Sequence, residues 1–210
     1  MLRKRMIPFL LSICLLVGTF AVPASAEDLE NGSQNQTTTV DEKTTAWGSD
    51  YATANKFEIT SVADLQAFAN MVNDGKDFSG KTVTLTCSLD LTGVTWVPIG
   101  TDDSGALSEL DLSFSGKFDG SNHTISNLTV QYGETDDDPY YICGGLFGKV
   151  TGEICNLKLE NLSITAAGDY LGGIAGYLAK GGQISGCSVS GTISGAEYDS
   201  TAYGSYAGGI

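Results

Sequence analysis

The sequence predicts an all-β fold: a parallel β-helix, or solenoid, with an N-terminal capping helix. Three observations predict it. A pattern of apolar residues recurs about every 30 residues, helical periodicity is confined to one early segment, and 27 of the 210 residues are glycine against 4 prolines. A fixed period in this range is typical of one supersecondary unit stacked on copies of itself. A glycine excess without a collagen triplet indicates many tight corners.

The first 26 residues have the form of a secretory signal peptide. Arg3-Lys4-Arg5 is a positive n-region, residues 9–17 are apolar, and Ala24-Ser25-Ala26 supplies small residues at a cleavage site. We therefore expect residues 1–26 to be removed. The mature chain is expected to be secreted and extracellular, without a membrane span, and attached to the cell surface through a C-terminal region beyond residue 210.

The charge of the chain excludes one class of partner. The whole sequence carries a formal charge of −14, and removal of the signal peptide leaves 8 basic and 25 acidic residues, a charge of −17. Such a surface repels phosphate backbones, so nucleic acid is not an expected partner. The mature chain also has no arginine, the bidentate cation that would suit an acidic sugar.

Two segments precede the repeat region. Residues 27–55 are polar and acidic with few apolar groups, and this composition predicts a flexible polar spacer. Residues 56–112 are predicted to form an N-terminal cap made of a helix and the first strands. An uncovered end of a β array would expose apolar layers and strand edges, and a helix at this position covers them.

The cap begins with alternation at Phe57 and Ile59, which predicts a short strand. Ser61 and Asp64 then have the spacing of a capping box, apolar residues follow at helical spacing from Val62 to Val72, and Gly75 ends the helix. Strict alternation resumes over residues 83–91 and predicts one strand with a single buried face.

The repeat occupies residues 113–210 and is predicted to be truncated at its C-terminal end. Three segments read apolar-x-x-apolar-x-apolar, starting at Ile125, Ile154 and Ile184. We expect these isoleucines to form one inner ladder of a coil built from three short strands. The rival architecture, a β-propeller, needs longer blades with four strands each. A second predicted ladder consists of Leu128, Leu157 and Cys187. A glycine-rich motif follows the same period, with copies beginning at Gly144, Gly172 and Gly208.

Four cysteines remain after removal of the signal peptide: Cys87, Cys143, Cys155 and Cys187. Their spacings match neither a metal knuckle nor a redox pair, and isolated thiols are favoured, although the sequence leaves the disulfide state open. In the predicted register Cys187 faces the core and Cys155 faces outward, so the two do not point at each other.

Three motifs in fixed order resemble the GLUG-motif repeat proteins. They are Trp96-Val-Pro-Ile-Gly100, the segment 114–128 with its Phe-Ser-Gly-Lys-Phe-Asp-Gly run, and Gly145-Leu-Phe-Gly148. Such repeats occur in large exported proteins of gut and oral bacteria, including adhesin-like proteins and non-catalytic regions of IgA-specific metallopeptidases. The resemblance covers about residues 57–210 and implies a right-handed β-helix at the cell surface. The second copy departs from the pattern, reading Gly173-Ile-Ala-Gly176, which implies a smaller residue in that layer.

No residue pattern predicts a catalytic, cofactor or metal site, and we expect the chain not to be an enzyme. His123 is the only histidine and lies in a turn before Ile125, where a structural role is expected. Asp102-Asp103 and Asp136-Asp137-Asp138 are carboxylates of the type that glycoside hydrolysis uses, but runs of acidic residues are typical of solvated loops. Glu134 beside the latter run leaves calcium open, without the spacing of a defined calcium loop.

The segments between the strands are polar and vary in length, and such insertions in a solenoid usually carry binding. Tyrosines in these segments could stack on sugars or peptides, or cover the solenoid wall instead. These tyrosines are Tyr140, Tyr141, Tyr198, Tyr203 and Tyr206.

The predicted function is a non-catalytic surface display or adhesion module of a larger secreted bacterial protein, with a host or bacterial surface glycan or protein as partner. The alternative is a non-catalytic segment of a secreted peptidase or polysaccharide-active enzyme whose catalytic domain lies downstream. The chain stops within a motif copy at Gly208-Gly209-Ile210, and further repeats are expected after it.

Overall fold

The computed structural model describes residues 46–101, 112–132, 143–166, 170–195 and 206–209, all within one compact unit. They form a parallel β-solenoid of about four coils with a single helix, which confirms the predicted fold class. The elements in chain order are β1 (Lys56–Ile59), α1 (Val62–Asn73), β2 (Thr82–Leu85), β3 (Leu89–Asp90), β4 (Lys117–Asp119), β5 (Thr124–Ser126), β6 (Thr129–Tyr132), β7 (Cys143–Gly144), β8 (Phe147–Val150), β9 (Glu153–Cys155), β10 (Lys158–Ala166), β11 (Tyr170–Gly172), β12 (Ala175–Leu178), β13 (Gln183–Ser185), β14 (Ser188–Gly195) and β15 (Tyr206–Gly208).

The helix α1 begins and ends where the sequence predicts. Ser61 is its N-cap and accepts a hydrogen bond from the Asp64 N–H at 3.1 Å, while the Asp64 carboxylate accepts one from the Thr60 N–H at 2.9 Å. At the other end Gly75 has φ of 83° and follows the last turn in a Schellman arrangement, in which the Lys76 N–H donates to the Met71 carbonyl. The buried face of α1 consists of Leu65, Phe68, Ala69 and Val72.

Residues 46–55 correct the boundary of the predicted flexible spacer. Trp47 and Tyr51 pack against the core, and the Trp47 indole N–H donates to the Glu58 carbonyl at 2.7 Å. The Lys81 ammonium holds this segment from the other side, donating to the carbonyls of Tyr51 and Ala54 at 3.0 and 2.8 Å. Two large aromatic side chains and a turn thus supply enough burial to order a segment that composition alone describes as polar.

The predicted strand over residues 83–91 is also corrected, because the chain turns between Leu85 and Leu89. β2 belongs to the first wall of the solenoid, which has the strand order β1-β2-β4-β9-β13, and β3 belongs to the second wall. The alternation of buried and exposed residues continues through this corner, because the solenoid interior lies on the same side of the chain in β2 and in β3. A period of two therefore does not distinguish one straight strand from two strands joined by a corner.

The inner ladders differ from the predicted alignment at Ile125. Ile184 pairs with Ile154 as predicted, but the other neighbour of Ile154 is Phe118. Ile125 lies on the second wall, where it pairs with Leu159. The first inner ladder is Phe57, Val83, Phe118, Ile154 and Ile184, and the second is Leu89, Ile125, Leu159 and Val189.

The misalignment arises because one coil contains the short pattern twice. Apolar-x-Asn-Leu starts at Ile154 and again at Leu159, and the segment starting at Ile125 matches both. The second predicted ladder is wrong at Leu128, which belongs to the same repeat copy as Ile125. Leu128 lies level with Leu162, because the Ser163 N–H donates to the Leu128 carbonyl. Like residues do stack on one another, but the copy that starts at Ile125 lies on the second wall and not on the wall predicted for it.

From its third residue on, the glycine-rich motif stacks as predicted, but Gly144 pairs with Leu171 and not with Gly172. Phe147 pairs with Ala175, so the smaller residue of the second copy does lie in the layer of the phenylalanine, and Gly172 pairs with Gly208. The pairings between described strands are parallel throughout, and the core between them is a continuous cluster of aliphatic and aromatic side chains.

Asparagines turn the chain between walls. Asn127, Asn156 and Asn161 have φ between 53° and 58°, the left-handed region that asparagine tolerates better than other residues with a Cβ. Their amides also bond along the solenoid axis. Asn161 donates to the Asn127 side-chain oxygen at 2.6 Å, and Asn127 donates to the Asp90 carboxylate at 2.7 Å. The bond from Asn127 is the main cause that lowers the pKa of Asp90.

We expect Asn127→Ala to lower the free energy of unfolding by about 2–3 kcal/mol, since it forces alanine into the left-handed region and removes the amide ladder. Asn127→Gly removes the same hydrogen bonds but adopts φ of 58° without strain, so its loss should be about 1 kcal/mol smaller. Urea unfolding followed by circular dichroism measures both. Equal losses for the two variants would show that backbone conformation contributes nothing at this corner.

Candidate binding surface

His123 closes the turn that precedes Ile125. It is half-buried in a turn, its N–H donates to the Gly120 carbonyl at 2.8 Å, and its own carbonyl accepts from the Lys158 N–H at 3.2 Å. Among the described residues, no three His, Cys, Asp or Glu side chains lie close enough together to hold a metal ion. No helix in the described part of the chain has the length and apolarity to cross a bilayer.

The acidic runs and most of the tyrosines singled out in the sequence lie outside the described residues. They are Asp102, Asp103, Glu134, Asp136, Asp137, Asp138, Tyr140, Tyr141, Tyr198 and Tyr203. Of Tyr206 the backbone is described, where it pairs with Tyr170 in β11.

An open groove of about 380 Å³ crosses the first wall where its strands begin. We call it the axial groove and define it by residues 80–82, 115–117 and 151–153 together with Gly181 and Gln183. Each of these four segments belongs to a successive coil. Because the coils stack, the groove runs along the solenoid axis and across the strands.

The floor of the axial groove is backbone, held by a regular hydrogen-bond ladder. The Lys117 N–H donates to the Lys81 carbonyl at 2.9 Å, the Glu153 N–H to the Gly116 carbonyl at 2.8 Å, and the Gln183 N–H to the Gly152 carbonyl at 2.9 Å. Glycine is required at these corners. A Cβ on Gly116 would lie 2.6 Å from the Phe78 oxygen, and one on Gly152 would lie 2.0 Å from the Gly116 oxygen.

The side chains along the axial groove form one register row. Thr82, Lys117, Glu153 and Gln183 pair successively, each preceding an inward apolar residue of its strand. Sequence reasoning did not identify this row. The row could have been predicted from the polar residue that immediately precedes each member of the first inner ladder. That prediction requires Phe118 to be aligned with Ile154.

The charges in the groove are compensated locally. The Lys117 ammonium lies 2.8 Å from a Glu153 carboxylate oxygen, with both side chains 41% exposed, and this bond is the main cause that raises the pKa of Lys117. A pair this exposed adds little to stability, because solvent screens the two charges. The Lys81 ammonium, besides its two carbonyl acceptors, lies 4.7 Å from the centre of the Tyr51 ring.

Cys155 differs from the prediction that it is exposed. Its position in β9 is outside the core cluster, as alternation requires, yet its exposed fraction is 5%. Burial is the main cause that raises the pKa of its thiol, and the negative charge of Asp119 adds to it. Cys187 was expected in the core and is half-buried against it. Both are free thiols.

We expect the Cys155 thiol to react at least tenfold more slowly with an aromatic disulfide reagent at pH 8 than the thiol of half-buried Cys87. The thiolate is the reacting form, and both burial and the raised pKa of Cys155 reduce it. The comparison uses two variants of the chain, each retaining one of these cysteines. Equal rates in the folded state, or a faster Cys155, would contradict the packing described above.

The stacked coils and the glycine-rich repeat define a parallel β-solenoid. Residues 167–194 match the family model of the GLUG motif, which confirms the predicted resemblance to GLUG-motif repeat proteins.

Two known proteins are similar to this chain. Halomucin of Haloquadratum walsbyi is 30% identical over 141 residues, which is 66% of this chain and 1% of halomucin. A crystal structure from Bacteroides ovatus, of a protein provisionally assigned as an immunoglobulin A1 protease, matches with a TM-score of 0.51 and 22% identity, over 65% of this chain and 38% of that one. The chain thus spans less than half of the length of either relative. Repeat and fold are compatible with a non-catalytic module and with an extracellular location.

Proposed function

We propose that the chain is a display and adhesion module of a secreted, surface-attached protein. In this role the stacked strands are a stiff support, and the connections between them carry the contacts to a partner. The proposal follows from the way the strands that flank successive connections stack on one another.

One observation carries the proposal: three connections leave and return at the same corner of the coil. β10 pairs with both β6 and β14, and β11 pairs with both β7 and β15. The segments that join β6 to β7, β10 to β11 and β14 to β15 therefore start and end at stacked positions. Two of them, residues 133–142 and 196–205, are long and rich in acidic and tyrosine residues, whereas 167–169 is short.

The short connection supplies a matched control for a test. In a trimmed variant, residues 133–142 and 196–205 are each replaced by Ala-Gly-Asp, the sequence of residues 167–169. We expect beads coated with the full chain to adhere to immobilised mucin but not to albumin, and beads coated with the trimmed variant to lose this adhesion. Urea unfolding should show that the trimmed solenoid remains folded. Equal adhesion of the two chains, or no adhesion by the full chain, would overturn the proposal.

A second candidate is a non-catalytic segment of a secreted enzyme, and it is favoured by the name of the Bacteroides ovatus protein. The sequence that follows residue 210 in the gene separates the two candidates. A cell-wall sorting signal supports surface display, and a catalytic domain supports the enzyme.

A further inference from the structure

We propose that the axial groove binds an extended, uncharged, β-linked oligosaccharide laid along the solenoid axis. This inference rests on the proposed surface display and adds a second site, apart from the connections, with its ligand class.

The geometry favours a chain of repeating units. The groove crosses four coils, and each coil presents a similar set of backbone and polar groups. Neighbouring parallel strands lie about 4.8 Å apart. Successive sugars of a flat, β-1,4-linked chain repeat at a comparable interval, so each sugar can face one coil.

Polar groups are available for such a chain. The side chains of Thr82 and Gln183 make no hydrogen bond to any described residue, and they stand at opposite ends of the row. Between them Lys117 and Glu153 bond to each other but remain 41% exposed, which leaves further donor and acceptor positions open. A hydroxyl-rich ligand matches this mixture of donors and acceptors.

A peptide fits less well. Extended peptides are held by adding a strand to a free sheet edge, with pockets for alternate side chains. The groove runs across the strands instead, and the backbone groups in its floor are already paired between coils. Its lining consists of glycine, hydroxyl, amide and charged residues, with no apolar side chain to anchor a peptide.

An acidic polysaccharide is disfavoured by charge. The groove itself holds two ammonium groups and one carboxylate, and both ammonium groups already have acceptors. The whole chain carries −14, which repels a polyanion at longer range.

The test titrates the purified full chain with β-1,4-linked glucose oligomers of two to six units, followed by NMR or calorimetry. We expect weak binding, with a dissociation constant on the order of 1 mM for the tetramer, that strengthens from two to four units and then levels off because the groove spans four coils. β-1,4-linked glucuronate oligomers of the same lengths, which differ in charge but not in linkage, should not bind. Absence of oligomer binding, or binding that does not depend on length, would overturn the proposal.

Variants then locate the site. Gln183→Ala should weaken tetramer binding about threefold to tenfold, the contribution of one hydrogen bond. Thr165→Ala is the matched control, because Thr165 is an exposed polar residue of β10 on another wall, and its binding should equal that of the unchanged chain. Equal effects of the two variants would place binding elsewhere.

A charge variant tests the argument against polyanions. Glu153→Gln removes the carboxylate that compensates Lys117, and we expect binding of β-1,4-linked glucuronate oligomers to appear. No gain of glucuronate oligomer binding would show that groove charge does not set selectivity and would contradict this part of the proposal.

The two proposals fail separately. Absence of mucin adhesion by the full chain, or equal adhesion of the full and trimmed chains, with intact oligomer binding would refute the display function alone. Intact adhesion with no oligomer binding would refute the groove as a glycan site alone.

Discussion

Replacing Phe68 by alanine is expected to lower the free energy of unfolding by about 3–5 kcal/mol, the usual cost of truncating a buried phenylalanine. Phe68 projects from α1 and is fully buried. Its ring lies within 5.1–6.4 Å of the ring centres of five other aromatic residues, namely Trp47, Phe78, Phe114, Phe118 and Phe147. The loss is a large share of the 5–15 kcal/mol that stabilises an ordinary domain.

The location of Phe68 makes its effect larger than local packing suggests. Its ring partners come from the segment before β1 and from three later parts of the chain, so one side chain connects the cap to several coils. In a stacked array each layer is stabilised by its neighbours, and a loosened cap exposes the first layer of the core. We therefore expect the N-terminal coil to lose hydrogen-exchange protection before the others in this variant.

Urea unfolding followed by circular dichroism and tryptophan fluorescence measures the loss, and two variants calibrate it. Gln66→Ala, at an exposed position of the same helix, should change the free energy of unfolding by no more than about 0.5 kcal/mol. The loss for Phe68→Leu should fall between those for Gln66→Ala and Phe68→Ala, because leucine retains apolar volume but not the ring contacts. A loss below 1 kcal/mol for Phe68→Ala would mean that α1 is not a stabilising cap.

The elements that could be predicted from the sequence are those specified by local chemistry. Ser61, Asp64 and Gly75 fix both ends of α1 through hydrogen bonds within a few residues, and no distant contact is needed to place them. The glycine-rich copies at Gly144 and Gly172 are equally distinctive, since few other residues fit where coils approach so closely.

The elements that could not be predicted depend on which copy stacks on which. Ile154 and Leu159 begin the same short pattern on two different walls, so Ile125 matched either, and only long-range pairing decides between them. The axial groove depends on this choice, because its side chains become one row only when Phe118, not Ile125, is aligned with Ile154. Burial of Cys155 likewise depends on side chains from neighbouring coils, including that of Asp119.

Replacing Gly152 by alanine is expected to lower the free energy of unfolding by about 3 kcal/mol, at the upper end of the cost of overpacking. An added Cβ would lie 2.0 Å from the Gly116 oxygen and 2.6 Å from the Ser115 carbonyl carbon, distances that no side-chain rotation relieves because the obstacles are backbone. The two coils must move apart at this corner. That movement also strains the bond from the Glu153 N–H to the Gly116 carbonyl.

Gly209→Ala is the control for this effect, because a Cβ at Gly209 would have no atom within 4 Å and its φ is not in the left-handed region. Urea unfolding should place this control within about 0.5 kcal/mol of the unchanged chain. The spacing of the coils predicts a second consequence: since β9 and β4 separate at Gly152, the Gly152→Ala variant should also bind the glucose tetramer more weakly, whereas the control should not. If Gly152→Ala were as stable as Gly209→Ala, the coils could not be stacked as closely as the hydrogen bonds across this corner require, and the row of side chains along the groove would lose its physical basis.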